Sequence, residues 1–149
     1  MIPRIDTGTT PTYSRGYDCI EALLRQAGLR PTRQRLSLVK LLFAQGPRHV
    51  SAEALYEEAR RAGLLMSLAT VYNALHQFTE AGLLRELAAD GAKSYFDTNV
   101  AHHHHFLIDG HRLIDVAAES VAIAALPAIP EGMEIARIDV VIRLKPKQA

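Results

Sequence analysis

Four histidines stand in a row at His102–His105, within VAHHHHFLIDGHRLIDV. On a strand, alternate side chains point to opposite faces, so His103 and His105 would share one face and His102 and His104 the other. Each His-x-His pair can chelate one ion, and neutral imidazole ligates zinc, iron, copper and haem iron. Two imidazoles do not complete a coordination sphere. His49, Asp97 and His111 are further donors, although spacing alone does not bring them close. A solvated histidine cluster would show the same letters. The run is not read as a purification tag, because it lies between two segments of folded character. The single cysteine, Cys19, excludes an intrachain disulfide and a four-cysteine zinc site, and reads as a small core residue.

A second kind of chemistry is written in Ser67–Gly82, SLATVYNALHQFTEAG. Ser67 can cap a helix, Val71, Ala74, Leu75 and Phe78 make an apolar stripe, and Gly82 ends it. The opposite face carries Thr70, Tyr72, Asn73, His76 and Gln77, which hydrogen-bond but carry no fixed charge. A helix that reads base edges in the major groove needs such a face. A surface helix with a polar exterior fits equally well. His76 reads as a surface or DNA-facing residue rather than a ligand.

Elements must hold these groups in place. The net charge of +1 makes any affinity for nucleic acid local rather than global. No apolar run approaches the roughly 20 residues of a membrane span. The N-terminus lacks a signal peptide's basic start and apolar core, so a cytoplasmic protein is expected. Residues 1–16 read as a flexible arm. Asp18 is expected to cap a helix that buries Ile20, Leu23, Leu24 and Ala27 and ends at Gly28. Thr32 caps a second, burying Leu36, Val39, Leu42 and Phe43. Arg30, Arg33 and Arg35 lie at its start, where outward N–H groups also suit phosphate; three solvated arginines would look the same. Ser51 caps a third, with Leu55, Ala59 and Ala62 inward.

After Gly82 the period turns strand-like. Leu83–Leu87 and Lys93–Asp97 are joined by Ala88–Ala92, with a turn signal at Asp90–Gly91. Helices, a reading helix and a hairpin bearing Lys93 predict a winged helix over 17–98. The remainder, 99–149, predicts a small α/β unit. It has a turn at Asp109–Gly110, a strand at Leu113–Val116, an Ala-rich helix at Glu119–Ala125 and an alternating strand at Glu134–Lys145. In that strand Ile138, Val140, Ile142 and Leu144 face one way. Some 50 residues of this kind cannot bury a sufficient core alone, which predicts a homodimer with two reading helices on a palindrome. The fold class is therefore α+β.

LRPTRQRL, RHVSAEALYEEA, SLATVYNALHQFTEAGLL, GAKSYFD and the histidine run occur in the order seen in ferric uptake regulators, and the chain resembles that family over Asp18–Lys145. The resemblance implies a cytoplasmic dimeric regulator acting on a double-stranded DNA operator. It assigns DNA contacts among Arg30, Arg33, Arg35, Thr70, Tyr72, Asn73, Gln77 and Lys93, and one hinge metal site to His49, Asp97, His103 and His105. Many members hold a structural zinc through cysteines after the run; here Phe106–His111 contains none. A second family site takes an acid and a distant histidine, and the regions around Ala122 and Ile138 offer neither. The missing cysteines, the run and the ending EIARIDVVIRLK resemble the iron response regulator branch, which implies haem as ligand through His102, His103, His104, His105 and His111. That branch's Cys-Pro motif is absent, since Ile20 follows Cys19 and position 15 is Arg15. Ligation in the hinge between the wing and the dimerisation strands can then set the angle between the reading helices. Divalent iron, manganese or zinc, or peroxide sensed through bound iron, are the alternatives. A metal-dependent enzyme is the reading from another class, and H-E-x-x-H, G-x-S-x-G and a phosphate loop are all missing.

Overall fold

The computed structural model describes residues 17–90 and 93–148, and the side chains of 19–87 and 93–148. The expected arm at 1–16 and the wing tip at Gly91–Ala92 lie outside the described residues. Two compact units divide between Ala101 and His102.

In the first unit, polar caps and apolar stripes set the helices α1 (Tyr17–Gln26), α2 (Arg33–Phe43), α3 (Ala52–Arg61) and α4 (Leu68–Glu80). Thr32, Ser51 and Ser67 each adopt extended backbone. Their side-chain oxygens accept the N–H groups of Arg35, Ala54 and Thr70, which would otherwise be unpaired in the first turn. α1 begins at Tyr17, so Asp18 is inside the first turn rather than its cap. Gly82, at φ +79°, takes the left-handed conformation that ends α4. Its N–H donates to the Thr79 carbonyl, and the Leu83 N–H donates to that of Phe78. Leu83 is thus used to close the helix, and the next strand starts at Arg85 rather than at Leu83.

Val71, Ala74, Leu75 and Phe78 of α4 are all buried, in one cluster with Leu38, Val39, Leu42, Leu55 and Phe96. Leu38 is fully buried, although the period pointed to Leu36 instead. Ala62, expected inward, is exposed because it is the C-cap of α3 rather than part of its stripe. Cys19, expected in the core, is exposed. At about 100° per residue it lies some 140° around α1 from the buried Leu24.

A three-stranded sheet completes this unit. β3 (Lys93–Asp97) is central, with β1 (His49–Val50) and β2 (Arg85–Asp90) antiparallel on either side. β2 and β3 form the wing and pair out to Asp90 and Lys93, with a register irregularity between Ala88 and Asp90. β2 therefore takes in residues expected to belong to the connecting loop.

The second unit is a sheet of β4 (His103–Ile108), β5 (Arg112–Ala117) and β6 (Val141–Leu144), in the order β5-β4-β6. β5 runs antiparallel to β4 and β6 parallel. The histidine run begins where the two units divide, and His103–His105 lie on a strand, as the alternation of faces required; that strand is the central one, held by neighbours on both edges. Asp109 (φ 50°) and Gly110 (φ 74°) turn the β4–β5 hairpin. The helix expected at Glu119–Ala125 does not form; a single 3-10 turn at Ala118–Ser120 leads into irregular chain. Seven residues ahead of Pro127 are too few to hold a helix without a packed face. The strand expected at Glu134–Lys145 is limited to Val141–Leu144, paired with His105–Ile108; just before it, the Val140 N–H donates to the His104 ring rather than to the β4 backbone. Ile123, Leu126, Ile129, Met133 and Ile135 are exposed. Among the described residues, no helix is long and apolar enough to cross a membrane.

Candidate metal centre and nucleic-acid interface

β4 sorts the histidines by face. His103 and His105 share one, with ring centroids 4.5 Å apart. The hairpin register sets Asp115 of β5 opposite His105. Asp115 Oδ1 lies 3.4 Å from His103 Nε2 and 3.6 Å from His105 Nε2. One donor atom from each of the three residues converges within 4.8 Å of the others. The sequence offered Asp97 as the carboxylate for His103 and His105 and did not point to Asp115. The signal was available in the hairpin: counting back from the Asp109–Gly110 turn through Ile108 and Arg112 pairs His105 with Asp115. Two imidazoles and a carboxylate are a donor set that zinc, iron(II) and manganese(II) all accept, so the residues present fit a divalent ion.

His102 and His104 have ring centroids 5.2 Å apart, nearly perpendicular. His102 is exposed, whereas His104 is buried and its Nδ1 accepts the Val140 N–H at 3.3 Å. His111 is exposed in the hairpin turn, its Nδ1 2.8 Å from the Asp109 carbonyl oxygen. Among the described residues, these three histidines join no group of three or more converging donors. His103, His104 and His105 are all buried, His105 completely, which leaves little ring face for a porphyrin.

The first unit contributes a second pair. β1 is only two residues long, too short to show a period, and no strand was expected there. Its pairing with β3 sets His49 opposite Asp97, with Nε2 3.1 Å from Oδ2. Thr98 extends the join, since its N–H donates to the Arg48 carbonyl and its hydroxyl accepts the Arg48 N–H. Asp97 is 1% exposed and its Oδ1 accepts the Asn99 N–H at 2.9 Å. Arg85 of β2 stands opposite Asp97 on the other side, buried, with Nη1 donating to the Ala101 carbonyl.

The polar face of α4 is tied to two other helices. Arg35, at the start of α2, donates from Nη2 to Gln77 Oε1 at 2.8 Å and from Nη1 to the Arg30 carbonyl at 2.8 Å. Tyr72 donates its hydroxyl proton to Glu53 Oε1 of α3 at 2.6 Å. Thr70 Oγ1 lies 3.0 Å from Ser67 Oγ. His76 stacks on Tyr72 at 6.3 Å and meets the Phe96 ring edge-on at 5.7 Å. Arg30, Arg33 and Asn73 are exposed, and Lys93 Nζ lies 6.0 Å from the Tyr95 ring centroid. These side chains present donors and acceptors of the kind that match base edges and phosphates.

The Tyr72 hydrogen bond holds the Glu53 carboxyl below its ordinary pKa, aided by Glu53's own backbone N–H and the charge of Lys93. The same bond raises the Tyr72 phenol. Because the folded carboxyl is depressed, its contribution to stability is complete above the unfolded value and is lost as pH falls through the lower folded value. Tyr72→Phe should therefore move the Glu53 pKa up toward that of an ordinary glutamate. Carboxyl-carbon NMR titration of the two proteins measures it; an unmoved Glu53 would rule out the bond as the main cause.

A winged helix with a hydrogen-bonding helix face, joined to a strand that carries a histidine–aspartate donor set, defines a metal-responsive transcriptional regulator. The sequence profile of the ferric uptake regulator family matches residues 26–143, and the chain belongs to that family. It is 38% identical over 100 residues to the ferric uptake regulation protein of Escherichia coli K12, across 66% of this chain and 68% of that protein. Its fold is similar to the Pseudomonas aeruginosa ferric uptake regulator with manganese, at a TM-score of 0.66 and 29% identity, covering 86% of this chain and 98% of that one. The Vibrio cholerae ferric uptake regulator gives the same TM-score at 26% identity, covering 85% and 98%. The α+β class, with its winged helix and small α/β unit, is the architecture of these relatives.

Proposed function

We propose that this chain is a dimeric, cytoplasmic regulator of iron-linked genes that binds operator DNA through α4 and responds to a divalent ion held by His103, His105 and Asp115. The convergence of those three donors within 4.8 Å carries the reading. The family resemblance assigns His49 and Asp97 to the same ion, and their direct pairing supports a role as a preassembled ligand pair. The working division is a DNA-binding unit at 17–98 and a dimerisation and sensing unit at 99–149. A bound ion supplies a fixed positive charge that draws imidazole and carboxylate donors together. To change DNA binding it needs different affinities for the competent and incompetent arrangements. Manganese in a structurally similar regulator supports a divalent ion over haem. Haem, implied by the resemblance to the iron response regulator branch, is the second reading. His102 and His111 are its accessible imidazoles.

On the DNA side, Arg30, Arg33, Arg35 and Lys93 supply positive charge for phosphates, and Thr70, Tyr72, Asn73 and Gln77 supply contacts to bases. Arg35→Ala should weaken binding to all sequences alike and shallow the salt dependence by about one unit for each phosphate no longer neutralised. The test of the function is duplex selection from a random pool by the full chain, with iron(II), manganese(II), zinc(II) or haem added separately. One enriched palindrome whose affinity depends on an added ligand supports the reading. No enrichment under any condition would refute it.

The exposed Ile123, Leu126, Ile129, Met133 and Ile135 support dimerisation, since the second unit covers few of its apolar residues itself. Val140 is half-buried at the approach to β6. Val140→Asp would put a carboxylate where apolar contact is expected and should shift sedimentation toward monomer at micromolar concentration. A wild-type chain already monomeric there would end the dimer proposal.

A further inference from the structure

We propose that Glu53 sets the hydrogen-bonding sense of Tyr72 toward DNA: by holding the phenolic proton it leaves the Tyr72 oxygen as an acceptor, so the base read by Tyr72 carries an amino group. This rests on α4 being the reading helix. A phenol has one proton to give and an oxygen that can also accept. The 2.6 Å bond gives that proton to Glu53 Oε1, and a carboxylate can only accept it. A phenol keeps its proton at neutral pH, and the bond to Glu53 only strengthens that.

Glu53 is exposed in the first turn of α3, where its carboxylate suits the positive end of the helix and still reaches the Tyr72 hydroxyl. A carboxylate beside a surface that meets phosphates is electrostatically unfavourable. Lys93, whose charge acts on Glu53, offsets this only in part. Orienting Tyr72 is a use of that carboxylate beyond its place at the helix N-terminus. In the major groove, adenine N6 and cytosine N4 donate, whereas thymine O4 and guanine O6 and N7 accept. An acceptor-only Tyr72 matches the first pair and opposes the second. Glu53 is thus a positioning residue that determines specificity through Tyr72.

The experiment is random-duplex selection with the full-length wild type, Glu53→Ala, Glu53→Gln, Tyr72→Phe and Tyr72→Ala, each with saturating manganese(II) and with none. Thermal unfolding serves as the fold control. The wild type should favour adenine or cytosine at one position of each half-site by about fivefold or more, at the lower end for one base contact. Tyr72→Phe should flatten that position. Glu53→Ala should let thymine and guanine rise there toward parity, because the proton is then free to donate. Glu53→Gln, whose amide oxygen still accepts the proton, should restore the preference and bind DNA more tightly overall. A wild-type profile in Glu53→Ala would overturn the inference while leaving α4 as the reading helix. So would retention of the preference in Tyr72→Phe with its loss in Glu53→Ala, since Glu53 would then read the base itself. If Tyr72→Ala leaves every selected position unchanged, the reading of α4 falls, and this inference with it.

Discussion

Replacing His103 and His105 together by alanine should weaken divalent-ion binding by at least about 100-fold and remove the ion's effect on DNA binding. Loss of groups that merely orient ligands costs about 10- to 100-fold in metal sites, and here both imidazoles of the three donors on the β4–β5 sheet are deleted. Equilibrium dialysis with zinc(II) and manganese(II), together with operator binding, reads both effects. His105 is fully buried, so the double change also leaves a cavity and needs a fold control by circular dichroism. Asp115→Asn is the gentler companion. It keeps the shape on the exposed edge of the cluster while removing the charge, and should weaken binding in the same direction. Unchanged ion affinity in both variants would move the sensor off this face of β4. Haem inhibition retained by the double variant, with unaltered haem absorbance, would direct the search to His111, His76 and Cys19.

The second large effect is expected from Phe78→Ala. Phe78 is fully buried on the inner face of α4, in the cluster that includes Leu38, Leu42, Leu55 and Phe96. Removing a core phenylalanine costs about 3–5 kcal/mol through forfeited transfer energy and the cavity left behind. For a unit of this size that is a fall in Tm of about 15 °C or more, and a large part of a typical domain's whole stability. DNA binding should weaken with it, because Phe78 is the largest of the buried side chains that seat α4 and so fix the angle of its polar face. Tyr72→Ala, half-buried at the edge of the same core, should by contrast alter which sequences are selected with a smaller fall in Tm. Near-equal Tm for Phe78→Ala and wild type would mean that α4 is not seated on this core.

Several features were legible in the letters because local chemistry decides them. Thr32, Ser51 and Ser67 announce helix starts, since each oxygen serves an N–H three residues away. The stripe Val71–Ala74–Leu75–Phe78 needs only the helical period, and Gly82 only its tolerance of positive φ. The separation of His103 and His105 from His102 and His104 follows from the two-residue period once a strand is assumed. The winged-helix order is a sum of such local signals. Local rules failed where an element depends on its neighbour. β6 begins only after Val140, whose N–H is taken by the His104 ring, and the Ala-rich stretch before Pro127 is left exposed rather than packed as a helix.

What only the tertiary structure decided is which groups meet. Asp115 stands against His103 and His105 because the Asp109–Gly110 turn sets one register of the hairpin. A slip of one residue would send its carboxylate to the opposite face. His49 meets Asp97 through a strand two residues long, too brief to mark itself by any period. Tyr72 finds Glu53 across 19 positions and Arg35 finds Gln77 across 42, distances over which sequence spacing carries no information. Those meetings are fixed by how α2, α3 and α4 pack on the buried cluster, which is set by side-chain volume and shape summed over the whole unit rather than by any one segment.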